Sequence, residues 1–128
     1  MRMAGVAQAY RGVDSAARVA MADRHGLVQL MFDELVAALG RAQAACERRE
    51  RAARSHAAGQ ALSILAGLSS ALDAERGGEV AALLASVYAQ SSAEIIAAGQ
   101  SERPEAYAAV AARIADIGDA WRLIGDKP

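Results

Sequence analysis

Two long amphipathic segments of this sequence meet at Leu72-Asp73-Ala74-Glu75-Arg76-Gly77-Gly78-Glu79-Val80-Ala81, which contains the only Gly-Gly pair in the chain. Glycine reaches positive φ without steric cost, so Gly77 and Gly78 can end one helix in a left-handed C-cap. Glu79 then falls in the first turn of the next helix, where the helix dipole favours a negative charge. The pattern predicts a tight helical hairpin rather than a linker between domains.

The composition predicts a single all-α domain. The chain has 128 residues, of which 54% are hydrophobic and only 4% aromatic. About a quarter of the residues are alanine, the best helix former. Alternating runs of β-branched and aromatic residues, which would indicate strands, are almost absent. We expect one domain over residues 1–128, with a short or mobile N-terminal helical arm at 1–22 and a helical bundle at 23–124.

The charge and cysteine content favour a soluble cytosolic protein. The net charge is −1, so no overall field indicates nucleic acid as a partner. The single cysteine, Cys46, excludes an internal disulfide and fits a reducing compartment. The sequence opens with no signal peptide, and it holds no run of about 18 apolar residues. We therefore expect no membrane insertion.

Four main helices follow the arm, and their approximate predicted ranges are 24–48, 51–74, 79–98 and 101–124. Asp23 is the expected N-cap of the first helix, and Gly99 the expected C-cap of the third. Ser101 is the expected N-cap of the fourth helix, with Pro104 in its first turn. Because short connections favour antiparallel neighbours, these segments predict an antiparallel up-down four-helix bundle.

The third predicted helix has one extended apolar side. It consists of Val80, Leu83, Leu84, Val87, Tyr88, Ile95 and Ala98, with Ser91 as an interruption. Ile96 lies away from this side. Leu30 likewise lies away from the apolar stripe of the first helix, which consists of Leu27, Val28, Met31, Phe32, Leu35, Leu39, Ala42 and Cys46. Each of these two residues is either a single harmless exposure or part of a contact site.

The second predicted helix carries small residues where a solvated helix normally has long charged ones. This small-residue face consists of Gly59, Ser63, Ala66, Gly67 and Ser70, with Leu62 at its edge. Each glycine inside a helix costs about 1 kcal/mol relative to alanine. The face is either a shallow groove for a helix of a partner or a site of close packing inside the bundle, and the sequence leaves both open.

The residues that could carry chemistry are few, and we predict no catalytic centre, metal site or cofactor. His25 and His56 have no Glu or His partner at metal-ligand spacing. Cys46 lies on the apolar stripe of the first helix, where a small core residue is expected. Gly77-Gly78 lacks the Gly-Lys-Ser/Thr that completes a phosphate-binding loop. These features indicate that the protein is not an enzyme.

One alternative is a histidine phosphotransfer module, because such modules are four-helix bundles of about this length. His56-Ala57-Ala58-Gly59 superficially resembles their motif. That motif places a lysine and a glycine three and four residues after the histidine, whereas position 59 is already glycine here. The alternative predicts acid-labile phosphate on His56.

The order of motifs from about Ala9 to Trp121 resembles the flagellar secretion chaperone family, FliS. In the N-terminal arm the resemblance rests on Ala9-Tyr10, and in the first helix on Leu27-Val28-Gln29-Leu30-Met31-Phe32-Asp33. In the second helix it rests on Ala61, Ile64, Leu68 and Leu72-Asp73. The hairpin and third helix contribute Gly77-Gly78-Glu79-Val80-Ala81, Leu83-Leu84 and Tyr88, and the last helix contributes Trp121. Three positions depart from the family pattern: Asp23-Arg24-His25 replaces Thr/Ser-Pro, Glu34 replaces a glycine, and Ala98-Gly99 replaces Ala-Asn.

The resemblance implies a cytoplasmic export chaperone. Such a protein binds the disordered C-terminal region of flagellin, prevents its premature polymerisation and delivers it to the gate of the flagellar type III export apparatus. An amphipathic helix laid into an apolar groove offsets the entropy that a disordered segment loses on binding. With this resemblance, the expected client-binding residues are Tyr10, Leu30, Gly59, Leu62, Ser63, Ala66, Gly67, Ser70 and Ile96. Tyr10, in an arm that covers part of the groove, is also a candidate for contact with the export machinery.

Overall fold

The computed structural model describes residues 23–72 and 74–125, and these residues form four helices and no strand. The helices are α1 at Arg24–Glu47, α2 at Arg51–Ala71, α3 at Ala74–Ser101 and α4 at Pro104–Gly125. The all-α class and the number of main helices predicted from the sequence are confirmed. The predicted arm at 1–22, including Tyr10, lies outside the described residues.

The ends of α1 follow standard capping chemistry. The Asp23 carboxylate accepts a hydrogen bond from the His25 backbone N–H at 3.0 Å, so the predicted N-cap is confirmed. At the other end the Glu50 N–H donates to the Ala45 carbonyl and the Arg49 N–H donates to the Cys46 carbonyl. This is a Schellman motif in which Arg49, at φ 58°, takes the left-handed position that glycine usually fills.

The four helices form a ring in which each packs against its neighbours along the chain. Helix α1 contacts α2 and α4, and α3 contacts the same two helices, so α1 and α3 occupy opposite corners. The connections are short, which makes consecutive helices antiparallel. The beginnings of α1 and α3 and the ends of α2 and α4 therefore share one end of the bundle, called the hairpin end below.

Alanine and leucine fill most of the core. Its larger members are Phe32, Leu35, Leu39, Leu65, Leu68, Tyr88, Ile95, Tyr107, Val110 and Ile114, and its alanines include Ala38, Ala42, Ala57, Ala61 and Ala98. Gly118 brings α4 close to α1, because a Cβ at this position would lie 3.3 Å from the Cβ of Phe32. Small side chains at these positions let the helices approach closely.

The connection between α2 and α3 differs from the prediction. Helix α2 ends at Ala71, and Leu72 is extended at φ −67° and ψ 133°. A helical turn then begins at Ala74, and Gly78 interrupts it at φ 52° and ψ −124°. Gly78 does take the positive φ expected of the pair, but it kinks the start of α3 instead of ending α2. The predicted C-cap at Gly77-Gly78 was therefore wrong.

The connection between α3 and α4 lies further along the chain than predicted. Helix α3 continues through Gly99 to Ser101, and the Glu102 N–H donates to the Ala98 carbonyl at 2.9 Å. Glu102, at φ 55°, ends the helix in the left-handed region. The predicted roles of Gly99 as C-cap and Ser101 as N-cap were wrong, because this additional hydrogen bond extends the helix beyond both residues. Pro104 begins α4, where its missing N–H costs nothing.

Ser91, the polar residue on the apolar side of α3, forms a buried hydrogen bond to α4. Ser91 is fully buried, and its hydroxyl accepts a hydrogen bond from Arg113 of α4 at 3.2 Å. The same guanidinium donates to Glu94 at 2.7 Å. Burial of a hydroxyl is costly unless it is hydrogen-bonded, so this network stabilises the contact between α3 and α4.

Candidate binding groove

An apolar groove of about 430 Å³ lies at the hairpin end of the bundle. All four helices contribute to it, because their ends meet there. Its lining residues are Arg24, His25, Val28, Phe32, Leu68, Ala71, Leu72, Gly77, Val80, Ala81, Leu84, Tyr88 and Trp121. Most of these side chains are apolar, so the groove suits an apolar side chain or helix face from a partner.

Aromatic rings form one side of the groove. The ring centroids of Phe32 and Trp121 are 6.3 Å apart in an edge-to-face arrangement, and those of Phe32 and Tyr88 are 6.5 Å apart. The His25 ring stacks on Trp121 at 4.3 Å, and the Trp121 indole N–H donates to the His25 carbonyl at 2.9 Å. Burial raises the pKa of Tyr88 to about 12, which indicates a phenol in an apolar setting. These contacts hold the rings in place before any partner arrives.

The first turns of α3 leave large apolar side chains exposed. Val80 and Leu83 are each 65% exposed, and Val80 lines the groove. Leu123 and Ile124, on the last turn of α4 at the same end, are also exposed. Val80 and Leu83 belong to the apolar side predicted for this helix, and the structure shows that this part of it is exposed. The polar network that joins α3 to α4 lies further along the helix, at Ser91. Within the described residues, no other helix covers Val80 and Leu83.

Helix α3 is unusually apolar for its degree of burial. Within the described residues, its Gly77–Ser101 segment is long and apolar enough to cross a membrane by length and composition alone. The core helix of a soluble protein can pass the same test, but little of this segment is buried inside the bundle. The apolar surface of α3 thus exceeds what the bundle itself uses.

The small-residue face of α2 lies mostly on the outer surface. Gly59, Ser63, Ala66 and Ser70 are exposed, and a Cβ at Gly59 would meet no atom within 4 Å. Gly67 differs, since a Cβ there would lie 2.9 Å from the terminal methyl of Met31 on α1. A side chain at Gly67 would therefore require Met31 to shift, whereas a side chain at Gly59 would point into open space.

The other predicted client-binding residues are dispersed. Leu62 is half-buried against the core, Leu30 is 37% exposed on α1, and Ile96 is 54% exposed on α3. Because α1 and α3 occupy opposite corners, Leu30 and Ile96 do not meet in one patch. None of the predicted residues in the described ranges lines the apolar groove. Only a long segment that wraps around the bundle could contact all of them.

Sequence reasoning missed the groove itself. Tyr88 and Trp121 pack against the core of the bundle and also line the groove. One usable signal was the width of the apolar side of α3: Val80, Leu83 and Leu84 add more large apolar surface than a helix with two neighbours needs. That excess could have indicated an unpaired surface.

The described ranges, 23–72 and 74–125, contain no group of three or more His, Cys, Asp or Glu side chains placed to hold a metal ion. His56 is exposed on α2, and His25 is engaged in the stack with Trp121. The arrangement that the structure does present is an open apolar groove on a preformed helical scaffold. That is a binding architecture, of the kind that receives an amphipathic helix.

Comparison with known proteins identifies the family to which this chain belongs. The family model described as "Flagellar protein FliS" matches residues 6–128. The chain therefore belongs to the FliS family of flagellar secretion chaperones, and the resemblance inferred from its motifs is confirmed.

Curated relatives agree over nearly the whole chain. The chain is 32% identical to the flagellar secretion chaperone FliSB of Pseudomonas aeruginosa over 112 residues, which cover 88% of this chain and 89% of the relative. It is 31% identical to the flagellar secretion chaperone FliS of Salmonella typhimurium over 121 residues, which cover 94% and 90%. The corresponding protein of Vibrio cholerae is 29% identical over 122 residues, covering 95% and 90%.

Proposed function

We propose that this protein is a non-enzymatic export chaperone that binds the disordered C-terminal region of flagellin in the cytosol. It prevents premature polymerisation of that client and delivers it to the flagellar type III export apparatus. Membership in the FliS family supports the proposal, as do relatives whose names describe flagellar secretion chaperones.

The observation that carries the proposal is the apolar groove beside exposed Val80 and Leu83. A disordered client loses conformational entropy when it becomes ordered, and buried apolar surface must offset that loss. Full burial of one valine or leucine side chain contributes about 1.5–3 kcal/mol. A client helix that covers Val80, Leu83 and Leu84 would recover several such contributions at once.

The preformed ring cluster also supports a groove that is ready for a client. Trp121 is fixed by its stack with His25 and by its indole hydrogen bond. Phe32 is buried beneath the groove and in contact distance of both other aromatic rings. Side chains that are already ordered lose little entropy on binding, so more of the burial energy remains for affinity.

We assign the small-residue face of α2, with Leu30 and Ile96, to a second part of the client contact. The exposed stripe of Gly59, Ser63 and Ala66 would let a client helix approach the α2 backbone closely. A client that is disordered before binding can reach both the groove and this stripe, because it wraps around large surfaces. Tyr10 remains a candidate for covering the groove or for contact with the export gate.

The test is a calorimetric titration with the C-terminal segment of flagellin from the same organism, using the wild type, Val80→Asp and Ala82→Asp. Val80 lines the groove, whereas Ala82 is exposed on the same helix and does not. Val80→Asp should weaken binding by at least about tenfold, because it places a charge against apolar client surface. Ala82→Asp adds the same charge and should leave affinity within about twofold.

Two results would contradict the proposal. One is the absence of binding by a folded wild-type protein, and the other is equal affinity of the wild type and Val80→Asp. A folded protein that instead acquires acid-labile phosphate on His56 would support the phosphotransfer alternative, which no observation on the structure favours.

A further inference from the structure

A second cavity, of about 400 Å³, lies at the end of the bundle opposite the hairpin end. The connection between α1 and α2 and the connection between α3 and α4 meet there. The cavity is lined by Ala45, Cys46, Arg49, Glu50, Arg51, Arg54 and Glu102. We call it the arginine cavity, because three of its seven lining residues carry guanidinium groups.

Positive charge in the arginine cavity is only partly neutralised. Glu102 lies 3.4 Å from Arg51 and 3.5 Å from Arg54, so one carboxylate serves two guanidinium groups. The Glu50 carboxylate forms an ion pair at 2.9 Å with the guanidinium of Arg48, a residue that does not line the cavity. Among the described residues, Arg49 has no ion-pair partner. The lining therefore has spare capacity for a negative charge.

Backbone groups add to this imbalance. Helix α2 begins at Arg51, its first turn contains no acidic residue, and the Glu50 side chain makes no capping hydrogen bond. The N-terminus of a helix is electrically positive and leaves backbone N–H groups without partners. Arginines at such an end repel the helix dipole, and a bound anion would relieve that repulsion.

A buried tyrosine, Tyr107 in the first turn of α4, lies at the same end of the bundle as the arginine cavity. Tyr107 is fully buried, and its hydroxyl has no hydrogen-bond partner. Burial raises the pKa of the Tyr107 phenol, and the positive charge of Arg54, which lines the arginine cavity, opposes this rise. The side chain of Arg54 is itself only 13% exposed. A charge with little exposure to water is screened less, which strengthens the attraction of Arg54 for an anion.

We propose that the arginine cavity binds a small oxyanion, a carboxylate or a phosphate, between the guanidinium groups of Arg49, Arg51 and Arg54. Guanidinium groups bind both kinds of oxyanion through paired, charge-assisted hydrogen bonds. Glu102 occupies part of this position in the free protein and competes with the ligand. Its backbone stands at φ 55°, a conformation that a glutamate adopts at some cost.

The test is a calorimetric titration with inorganic phosphate at constant ionic strength. Arg51→Gln removes an exposed guanidinium that the fold does not need, and it should weaken phosphate binding by about tenfold. Glu102→Gln removes the competing carboxylate and should tighten binding by a similar factor. Arg103→Gln is the matched control, because Arg103 pairs with Glu105 in the same connection and does not line the cavity.

A second titration identifies the source of the oxyanion by comparing a short peptide that has a free C-terminal carboxylate with the same peptide as its amide. Binding of the free acid alone indicates a chain terminus, and binding of phosphate alone indicates a phosphoryl compound; either supports the site. The proposal is overturned if phosphate and both peptides fail to bind the wild type and Glu102→Gln. It is also overturned if Arg103→Gln weakens binding as much as Arg51→Gln does.

Discussion

Helices α1 and α3 occupy opposite corners of the bundle, and they use apolar residues in different ways. In α1 the large side chains Phe32, Leu35 and Leu39 are buried between α2 and α4. In α3 Tyr88 and Ile95 are buried, but Val80, Leu83 and Ile96 are each more than half exposed. The large apolar side chains of α1 therefore stabilise the core, whereas several of those in α3 are free to contact a partner.

The comparison teaches that hydrophobicity along a helix does not by itself report burial. A helix that packs against two neighbours needs a limited apolar face, and the large apolar residues that α1 exposes, Leu27 and Leu30, are only 39% and 37% exposed. Helix α3 carries additional large side chains at its first turns, where the kink at Gly78 and the open groove leave them without bundle partners. An exposed apolar surface of this kind marks an interaction site.

The largest expected contrast comes from one substitution made in each helix. Leu35→Ala should lower the free energy of unfolding by about 2–5 kcal/mol, because it leaves a cavity in a close-packed core. Leu83→Ala should change it by less than about 0.5 kcal/mol, because Leu83 is exposed. Urea denaturation of both variants measures the contrast. Similar losses in the two variants would mean that the first turns of α3 are buried in solution.

A smaller effect is expected on the outer face of α2. Gly59→Leu should weaken binding of the flagellin segment by about fivefold, because the new side chain occupies the exposed stripe. Gly40→Leu is the matched control: Gly40 is also exposed, lies in α1, and a Cβ added to it would likewise meet no atom within 4 Å. Calorimetric titration of both variants gives the comparison, and Gly59 is a cleaner site than Gly67, which packs on Met31.

Equal affinity of Gly59→Leu and the wild type would remove the small-residue face from the client contact and leave the groove as the proposed site. Both substitutions replace a helical glycine by a better helix former, so neither should lower stability. A loss of stability in Gly59→Leu would show that this face packs against part of the protein.

The smallest expected effect is on the pH dependence of stability, through the ion pair between Glu94 of α3 and Arg113 of α4. The hydrogen bond from Arg113 holds the pKa of Glu94 below its usual value of 4.5. A carboxyl group whose pKa is lowered by folding contributes stability above its unfolded pKa, and that contribution disappears as pH falls through the folded pKa. Glu94→Gln should therefore be slightly less stable than the wild type near neutral pH, and the two should converge as the pH falls through the lowered pKa of Glu94.

Urea denaturation of the wild type and Glu94→Gln at several pH values measures this convergence. A constant stability difference from neutral to acidic pH would mean that the ion pair does not contribute through its charge. Because Glu94 is partly exposed, salt should reduce the difference at neutral pH.

The sequence allowed the four helices to be predicted because capping residues and apolar periodicity are local signals. Asp23 caps α1 and Pro104 begins α4, as the local rules indicate. The errors arose at the end of α3: Gly99 and Ser101 lie within the helix, which ends at Glu102 instead. Positive φ at a non-glycine residue such as Glu102 carries no sequence signature.

The groove could not be predicted because no single helix contains it. Its rings come from Phe32 on α1, Tyr88 on α3 and Trp121 on α4, and only the packed bundle brings them together. A helical wheel ranks each of these residues as core, and all three do contact the core. The wheel could identify the small-residue face of α2, by contrast, because the spacing of those residues lies within one helix.

The most direct test of the central claim is the fluorescence of Trp121 during a titration with a tryptophan-free C-terminal segment of flagellin. Trp121 is the only tryptophan in the chain and it lines the groove, so it reports on that site without a label. Occupation of the groove predicts a saturable blue shift of its emission that is complete at one client per chaperone. Binding that calorimetry detects while the Trp121 emission stays unchanged would contradict the groove as the client site.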